Sequence, residues 1–348
     1  MRCIKFASYV CGVVLLASAL SPPNLSAQTP STGFNLVTSP LPINLSVKPG
    51  STVTTDIRLK NGGTETEQLK ADLMKFSAYG EEGKPSIQDR APGDDYFDWV
   101  RFSPSTFDAP PNQWITVKMT ITVPKSAAFG YYYAAVFSRA TPPVKTSSRQ
   151  NVLIGSSAVL VLLDVQSPNA KRVATIRSFT ADKKFYEFLP AEFSLKIKNS
   201  GNVHLIPTGN IFISKGKKQI ASLSVNEARG NVLPASNRTF TAVWTDGFPY
   251  YVNKELNGKV VLDKNDKPVQ QLKWDYAKIP DMKFGRYTAR MVLAYDDGRK
   301  DVPLEATVSF WVIPLRVYAI LFIFLVLPTA LFVFLFIKYR RLKKTVKK

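Results

Sequence analysis

The residues that could do chemistry are few and scattered. The one histidine, His204, lies between Val203 and Leu205 in a strand-like stretch. Both cysteines, Cys3 and Cys11, fall near the N-terminus. A Cys–His pair therefore has no thiol beyond that segment. A Ser–His–Asp set would have to be built round His204, with no nucleophile-elbow motif beside it. His204 reads as a turn-edge residue with a satisfied hydrogen bond. Zinc ligands at the usual spacing are missing. Carboxylates do gather between Tyr79 and Asp98, where Glu81, Glu82, Asp89, Asp94, Asp95 and Asp98 accompany Gly83 and Gly93. Calcium needs about six oxygens in suitable geometry, and the spacing matches no EF-hand loop. A glycosidase needs two carboxylates placed across a cleft, and nothing here indicates placement. The stretch reads as a solvated loop. The expectation is a non-catalytic protein without cofactor or metal.

Aromatic residues are the better candidates for binding. Tyr131-Tyr132-Tyr133 is followed by Ala134, Val136 and Phe137 in one strand-like run. Side chains alternate across a strand. With Tyr132, Ala134 and Val136 inward, Tyr131, Tyr133 and Phe137 would line the opposite face. Three rings in a row there would form an apolar patch for a partner or a saccharide, unless the 79–98 loop covers them. Phe248-Pro249-Tyr250-Tyr251 forms a second aromatic loop. Tyr250 and Tyr251 are candidates for ligand contact or for core and interdomain packing.

The ends of the chain define where these residues are displayed. Arg2 and Lys5 precede an apolar run from Val10 to Leu20, then small and polar residues through Ala27. That order predicts a signal peptide over 1–27. At the other end Val317–Ile337 holds 21 residues without a charge, as a helix about 31 Å long and matched to a bilayer core. Pro328 falls mid-span, where membrane helices tolerate it. Residues 338–348 carry seven positive and no negative charges, which predicts a cytoplasmic tail and an extracellular ectodomain.

The whole chain has a net charge of +20. Arg2 and Lys5 account for two charges and the tail for seven, leaving +11 between them. Residues 34–166 hold 13 basic and 12 acidic side chains, whereas 168–312 hold 23 and 14. The membrane-proximal half is thus the basic one, which suits anionic headgroups or wall polymers as well as plain solubility. No basic, aromatic-interleaved motif supports nucleic-acid binding. A cysteine-free ectodomain favours a bacterial source with a single membrane.

Between the ends the hydrophobic period is two. Ile57 and Leu59 alternate with Arg58 and Lys60; Val117, Met119 and Ile121 with Lys118 and Thr120; Phe193, Leu195 and Ile197 with Ser194 and Lys196. Such runs are strands with one buried face. A weak internal repeat pairs Ile57-Arg58-Leu59-Lys60-Asn61 with Leu195-Lys196-Ile197-Lys198-Asn199, and Phe129-Gly130-Tyr131-Tyr132 with Phe284-Gly285-Arg286-Tyr287. The Asn–Phe gaps are 68 and 85 residues, a difference loops absorb. The Asn residues read as turn positions that accept positive φ. Asp263–Asp266 and Asp296-Asp297-Gly298 read as hairpin turns. The expected fold is all-β: two tandem immunoglobulin-like β-sandwiches of about seven strands each, over 34–166 and 169–312, plus one C-terminal transmembrane helix.

Leu45-Ser46-Val47-Lys48-Pro49-Gly50-Ser51, Ile57-Arg58-Leu59-Lys60-Asn61, Val123-Pro124 and Gly130-Tyr131-Tyr132 resemble the first domain of the Gram-positive WxL-interacting proteins. The order of parts over the whole chain is also similar. The resemblance implies a first domain that engages peptidoglycan, a second that takes a further surface ligand, and partners carrying a Trp-x-Leu motif. This chain has no such motif itself. The expected function is adhesion or scaffolding at the cell membrane through wall glycan, surface proteins or both. A structural stalk or accessory subunit of a membrane complex is the alternative, and a wall-polymer-acting enzyme a weaker one.

Overall fold

The computed structural model describes residues 34–141 and 155–345. The expected signal peptide, with Cys3 and Cys11, lies outside the described residues, as do the last three residues of the basic tail. The strands of the first half are β1 (Leu36–Ser39), β2 (Ile43–Val47), β3 (Thr52–Asn61), β4 (Glu67–Tyr79), β5 (Lys84–Gln88), β6 (Val100–Ser103), β7 (Thr106–Ala109), β8 (Trp114–Thr122), β9 (Gly130–Arg139) and β10 (Ser156–Val165). They form two packed sheets, β1-β3-β8-β6 and β2-β10-β9-β4-β5, with β7 added to β4.

The second half has β11 (Ala174–Ala181), β12 (Phe185–Tyr186), β13 (Ala191–Asn199), β14 (Thr208–Lys215), β15 (Lys218–Val225), β16 (Asn237–Trp244), β17 (Tyr250–Asn253), β18 (Glu255–Leu256), β19 (Lys259–Val260), β20 (Gln270–Lys273), β21 (Gly285–Asp296) and β22 (Asp301–Val312). Its sheets are β11-β13-β16 and β12-β22-β21-β14-β15; β17-β20 and β18-β19 are separate ribbons. The chain is all-β, two immunoglobulin-like sandwiches followed by one helix.

The five-stranded order of the second sandwich repeats that of the first. In both, a short early strand lies parallel to the last one, β2 on β10 and β12 on β22. The period-two runs fall as the alternation dictates. Ile57, Leu59, Val117, Met119 and Ile121 are buried in one core, and Phe193, Leu195 and Ile197 in the other.

The repeated asparagines act differently from the expectation. Neither Asn61 nor Asn199 has positive φ; both are buried. Asn61 Nδ2 donates to the Glu65 and Ala109 carbonyls at 2.7 and 2.8 Å, and its Oδ1 accepts the Gly63 N–H at 2.8 Å. Asn199 Nδ2 donates to Val203 and Val232 at 2.8 and 2.9 Å, and its Oδ1 accepts Gly201 N–H at 2.8 Å. Each side chain thus replaces the backbone partners that are lost where the strand ends. The two hairpin readings hold: Gly298, at φ 94°, turns β21 into β22, and Asp266, at φ 57°, turns the chain between Leu262 and Pro268.

The helix α1 (Leu315–Thr345) begins before the expected span and runs on into the basic tail, so residues 338–345 are helical. Continuing the helix keeps the backbone groups at the end of the span hydrogen-bonded. Leu315–Tyr339 is long and apolar enough to cross a membrane and is not covered by the other described residues. At Pro328 the next residue, Thr329, donates its hydroxyl to Leu325 and Val326 carbonyls at 2.8 and 2.9 Å.

Candidate functional site

The strand that supplied the first candidate rings is phased oppositely to the expectation. Tyr133, Ala135 and Phe137 lie in the core of the first sandwich, with Tyr131 packed against it. Tyr132, Ala134 and Val136 point outward. The slip has an identifiable origin. Tyr287 accepts the Phe284 N–H on its hydroxyl at 3.0 Å, three residues upstream. Its counterpart in the first sandwich is Tyr131, whose hydroxyl is directed toward the Ala128 N–H, also three residues upstream. The sequence match of Gly130 with Gly285 pairs Tyr287 with Tyr132 instead. Alternation could not correct this, because both faces of β9 are apolar.

Tyr133 and Phe137 are fully buried and present no surface. The 79–98 segment is also more ordered than a solvated loop. It contains β5 and a 3-10 turn over Asp95–Trp99, whose rings close over the core. Tyr96 lies 5.3 Å from both Tyr131 and Tyr133, and the Tyr133 hydroxyl donates to the Tyr96 carbonyl at 3.1 Å. Burial and the nearby Asp94 carboxylate push the Tyr96 hydroxyl up to about 12. Asp94, Asp98, Glu82 and Glu81 each pair with a cation, Lys75, Arg90, Lys84 and Lys196 respectively. Among the described residues, no group of three or more His, Cys, Asp and Glu comes together as a metal site.

The outward face of β9 belongs to an apolar wall. Across the sheet, Leu162 pairs with Tyr132, Leu160 with Ala134, and Phe76 with Ile87. Its β4, β5 and β10 part, Phe76, Ile87, Leu160 and Leu162, faces the second sandwich across a cavity of about 540 Å³, lined also by Leu41, Leu233 and Arg238. Arg238 Nη1 donates to the Asn231 carbonyl at 2.6 Å and its guanidinium stacks 5.2 Å over Phe240, with no carboxylate partner among the described residues. Burial lowers its pKa.

Contacts on two sides hold the cleft open. At the hinge, Asp164 and Arg172 form a largely buried ion pair, and Tyr132 accepts the His204 N–H at 2.8 Å. The His204 ring stands edge-on to Tyr132 at 5.8 Å. Burial, the largest effect, brings its pKa down to about 4; Asp164 opposes this and Arg172 adds to it. Far from the hinge, the β4–β5 turn docks on β16. The Glu81 carbonyl accepts the Thr239 N–H at 2.7 Å, and its carboxylate takes Lys196 at 2.6 Å and Asn237 at 3.2 Å. Gly83 at φ 78° adopts the left-handed conformation that favours glycine, and a Cβ there would displace the Arg238 guanidinium.

Two further places collect aromatics. A hollow of about 370 Å³ on the first sandwich is lined by Tyr96, Trp99, Phe129 and Tyr131 beside Asp95. Tyr250 and Tyr251 are half-buried at the other end of the second sandwich, away from the cleft. Tyr251 donates to Glu187 at 3.4 Å, and Lys278 lies 5.1 Å over Tyr250. Glu187 in turn accepts the Arg316 N–H at 3.2 Å, at the start of α1, where a negative charge complements the helix dipole.

No family model and no curated protein matches the chain. Solved structures that resemble it include the class 5 fimbriae chaperone CfaA, at 16% identity and a TM-score of 0.34 over 69% of this chain and 100% of that one. The CsuC–CsuE chaperone–tip adhesion subunit complex of Acinetobacter baumannii resembles it at 12% identity and 0.34, covering 78% and 97%. The Pseudomonas aeruginosa CupB2 chaperone does so at 11% and 0.33, covering 79% and 100%. The likeness is remote. No residue or role is carried over from these structures, and the fold class stands on this chain's own sheets.

Sequence reasoning missed the cleft residues Phe76, Ile87, Leu160, Leu162, Leu233 and Arg238. One signal was present: Ala158–Leu163 is a run without polar alternation, the pattern of a strand covered on both faces.

Proposed function

We propose that the protein is a membrane-anchored, non-catalytic binding protein of the cell surface, whose interdomain cleft receives an apolar segment of a protein partner. The observation that carries this reading is the apolar lining that Phe76, Ile87, Leu160 and Leu162 of β4, β5 and β10 present to an open cavity facing the second sandwich. Apolar surface left exposed in a preformed cleft is the usual mark of a binding site. In this reading α1 crosses the membrane once, the sandwiches stand outside, and the basic tail lies in the cytoplasm. Membership of the WxL-interacting proteins belongs to the same proposal.

The test is site-specific photocrosslinking of the full chain in cells. A photoreactive residue at Ile87 should give protein adducts that Leu160→Glu abolishes, while one at Thr54, on the far face, should give none. An absence of adducts at Ile87 beside binding to purified wall sacculi would overturn the protein-partner reading.

The aromatic hollow favours a second reading, in which the first sandwich binds wall glycan. Trp99, Phe129 and Tyr131 offer ring faces to a sugar with Asp95 as an acceptor at the rim. Sacculus binding lost in Trp99→Ala with Phe129→Ala, without loss of folding, would support that reading.

A further inference from the structure

The end of the second sandwich next to α1 exposes rings and cations together. Only Ile313 and Pro314 separate β22 from α1. Strand register sets Phe185 and Arg286 opposite Trp311, and Tyr186 and Gly285 opposite Val312. These residues therefore lie within about 10–15 Å of the helix start along the chain. Phe185 is 63% exposed and Trp311 42%, with Phe284 beside them at 50%.

The excursion between β16 and β21 hangs from the same end. Tyr251 N–H donates to the Leu189 carbonyl at 2.8 Å, close to the Glu187 that meets Arg316. Phe248, buried, meets the rings of Trp274 at 5.7 Å and Tyr276 at 6.1 Å. Beyond them Tyr276 is 70% exposed and Trp274 43%.

The cations at this end are largely unpaired. Lys183, Lys184, Lys278 and Arg286 have no carboxylate partner among the described residues. The acids nearby are mostly engaged. Glu187 holds Arg316, Asp246 and Asp281 both face Lys283, and Asp182 accepts the Tyr186 hydroxyl; Asp275 and Glu192 are the exceptions. Exposed Trp and Tyr mixed with unpaired Lys and Arg, placed where a membrane helix begins, is the composition of the bilayer interface.

We propose that this end of the second sandwich is a second membrane contact. It rests on the outer surface of the bilayer that α1 crosses, with Phe185, Trp274, Tyr276 and Trp311 in the headgroup layer and the flanking cations on anionic lipid phosphates. The ectodomain is then held at a fixed tilt rather than swinging on Ile313-Pro314. The inference rests on α1 being the anchor but not on what the cleft binds.

The native tryptophans supply the test. The full chain is reconstituted into phosphatidylcholine–phosphatidylglycerol nanodiscs with and without lipids brominated near the headgroup. Insertion is checked separately by flotation with vesicles. The expected result is partial quenching of tryptophan emission by brominated lipid. That quenching is lost in Trp274→Phe with Trp311→Phe, and it weakens in Lys183→Ser with Lys184→Ser. A chain that floats with lipid yet shows no quenching overturns this inference and leaves the anchor standing. Failure to float overturns both. Equal quenching without phosphatidylglycerol overturns the role given to the cations.

Discussion

The outer faces of β9 and β21, strands at the same place in the two repeated sheets, differ where Tyr132 and Ala134 of β9 correspond to Thr288 and Arg290 of β21. On β21 that face carries Arg286, Thr288 and Arg290, and Arg290 pairs with Glu305 of β22 at 2.7 Å in solvent. On β9 it carries Tyr132, Ala134 and Val136, flanked by the cleft-lining Leu160 and Leu162 of β10 and Phe76 of β4. One topology thus supports a half-wet sheet in the second sandwich and a sheet covered on both faces in the first. The candidate site lies where the repeat stops being a repeat. What the two sandwiches keep in common, the buried asparagine at a strand end, holds the fold; what they do not share is what is available to a partner.

The sharpest way to break this comparison is through the core rings. Tyr133→Ala removes a fully buried ring and should cost about 4 kcal/mol in denaturant unfolding; a loss below about 1 kcal/mol would restore Tyr133 to the surface, as first expected. Asn61→Ala and Asn199→Ala should each cost about 3 kcal/mol, since each strands two carbonyls and one N–H. Markedly unequal losses would show that the two clamps are not equivalent.

The hinge is specific to the junction. His204, with its pKa lowered from 6.5 to about 4, stays neutral in the fold, while the unfolded chain takes up a proton below pH 6.5. Stability therefore falls by about 3 kcal/mol as pH drops from 6.5 to 4, and this contribution is level outside that window. The slope should flatten in His204→Gln, and an unchanged slope would show that the ring is already solvated. The smallest effect expected is that of Tyr132→Phe, about 1 kcal/mol for the lost acceptor of the His204 N–H. Tyr287→Phe, which frees the Phe284 N–H, should cost about the same.

Much of the fold was legible because it depends on local alternation. Ile57–Leu59, Val117–Ile121 and Phe193–Ile197 have one apolar parity, so each strand declares its buried face. β9 and β10 have two, and there the sequence contains no phase to read. The asparagines stood out as a repeat, but their role was hidden because the carbonyls they bind lie up to 48 residues away, at Ala109 for Asn61. The 79–98 segment looked like a loop because its acids dominate its composition, whereas Tyr96 and Phe97 decide where it packs. Tyr250 and Tyr251 were recognisable as aromatic, but their neighbours Glu187 and Lys278 come from other parts of the chain.

Residue order by itself determined the class of this protein: period-two runs make sheets, a long uncharged stretch makes a helix fit for lipid, and two similar runs in the same order make two similar sandwiches. These follow from backbone geometry and from water's aversion to apolar side chains, which act within a few residues. Tertiary structure alone decided which face of β9 meets the core, that the apolar outer faces of β4 and β10 beside it open on a cleft, and that aromatic and basic residues from three separate segments converge beside α1. Those outcomes depend on which distant surface covers a side chain, and no local pattern records that.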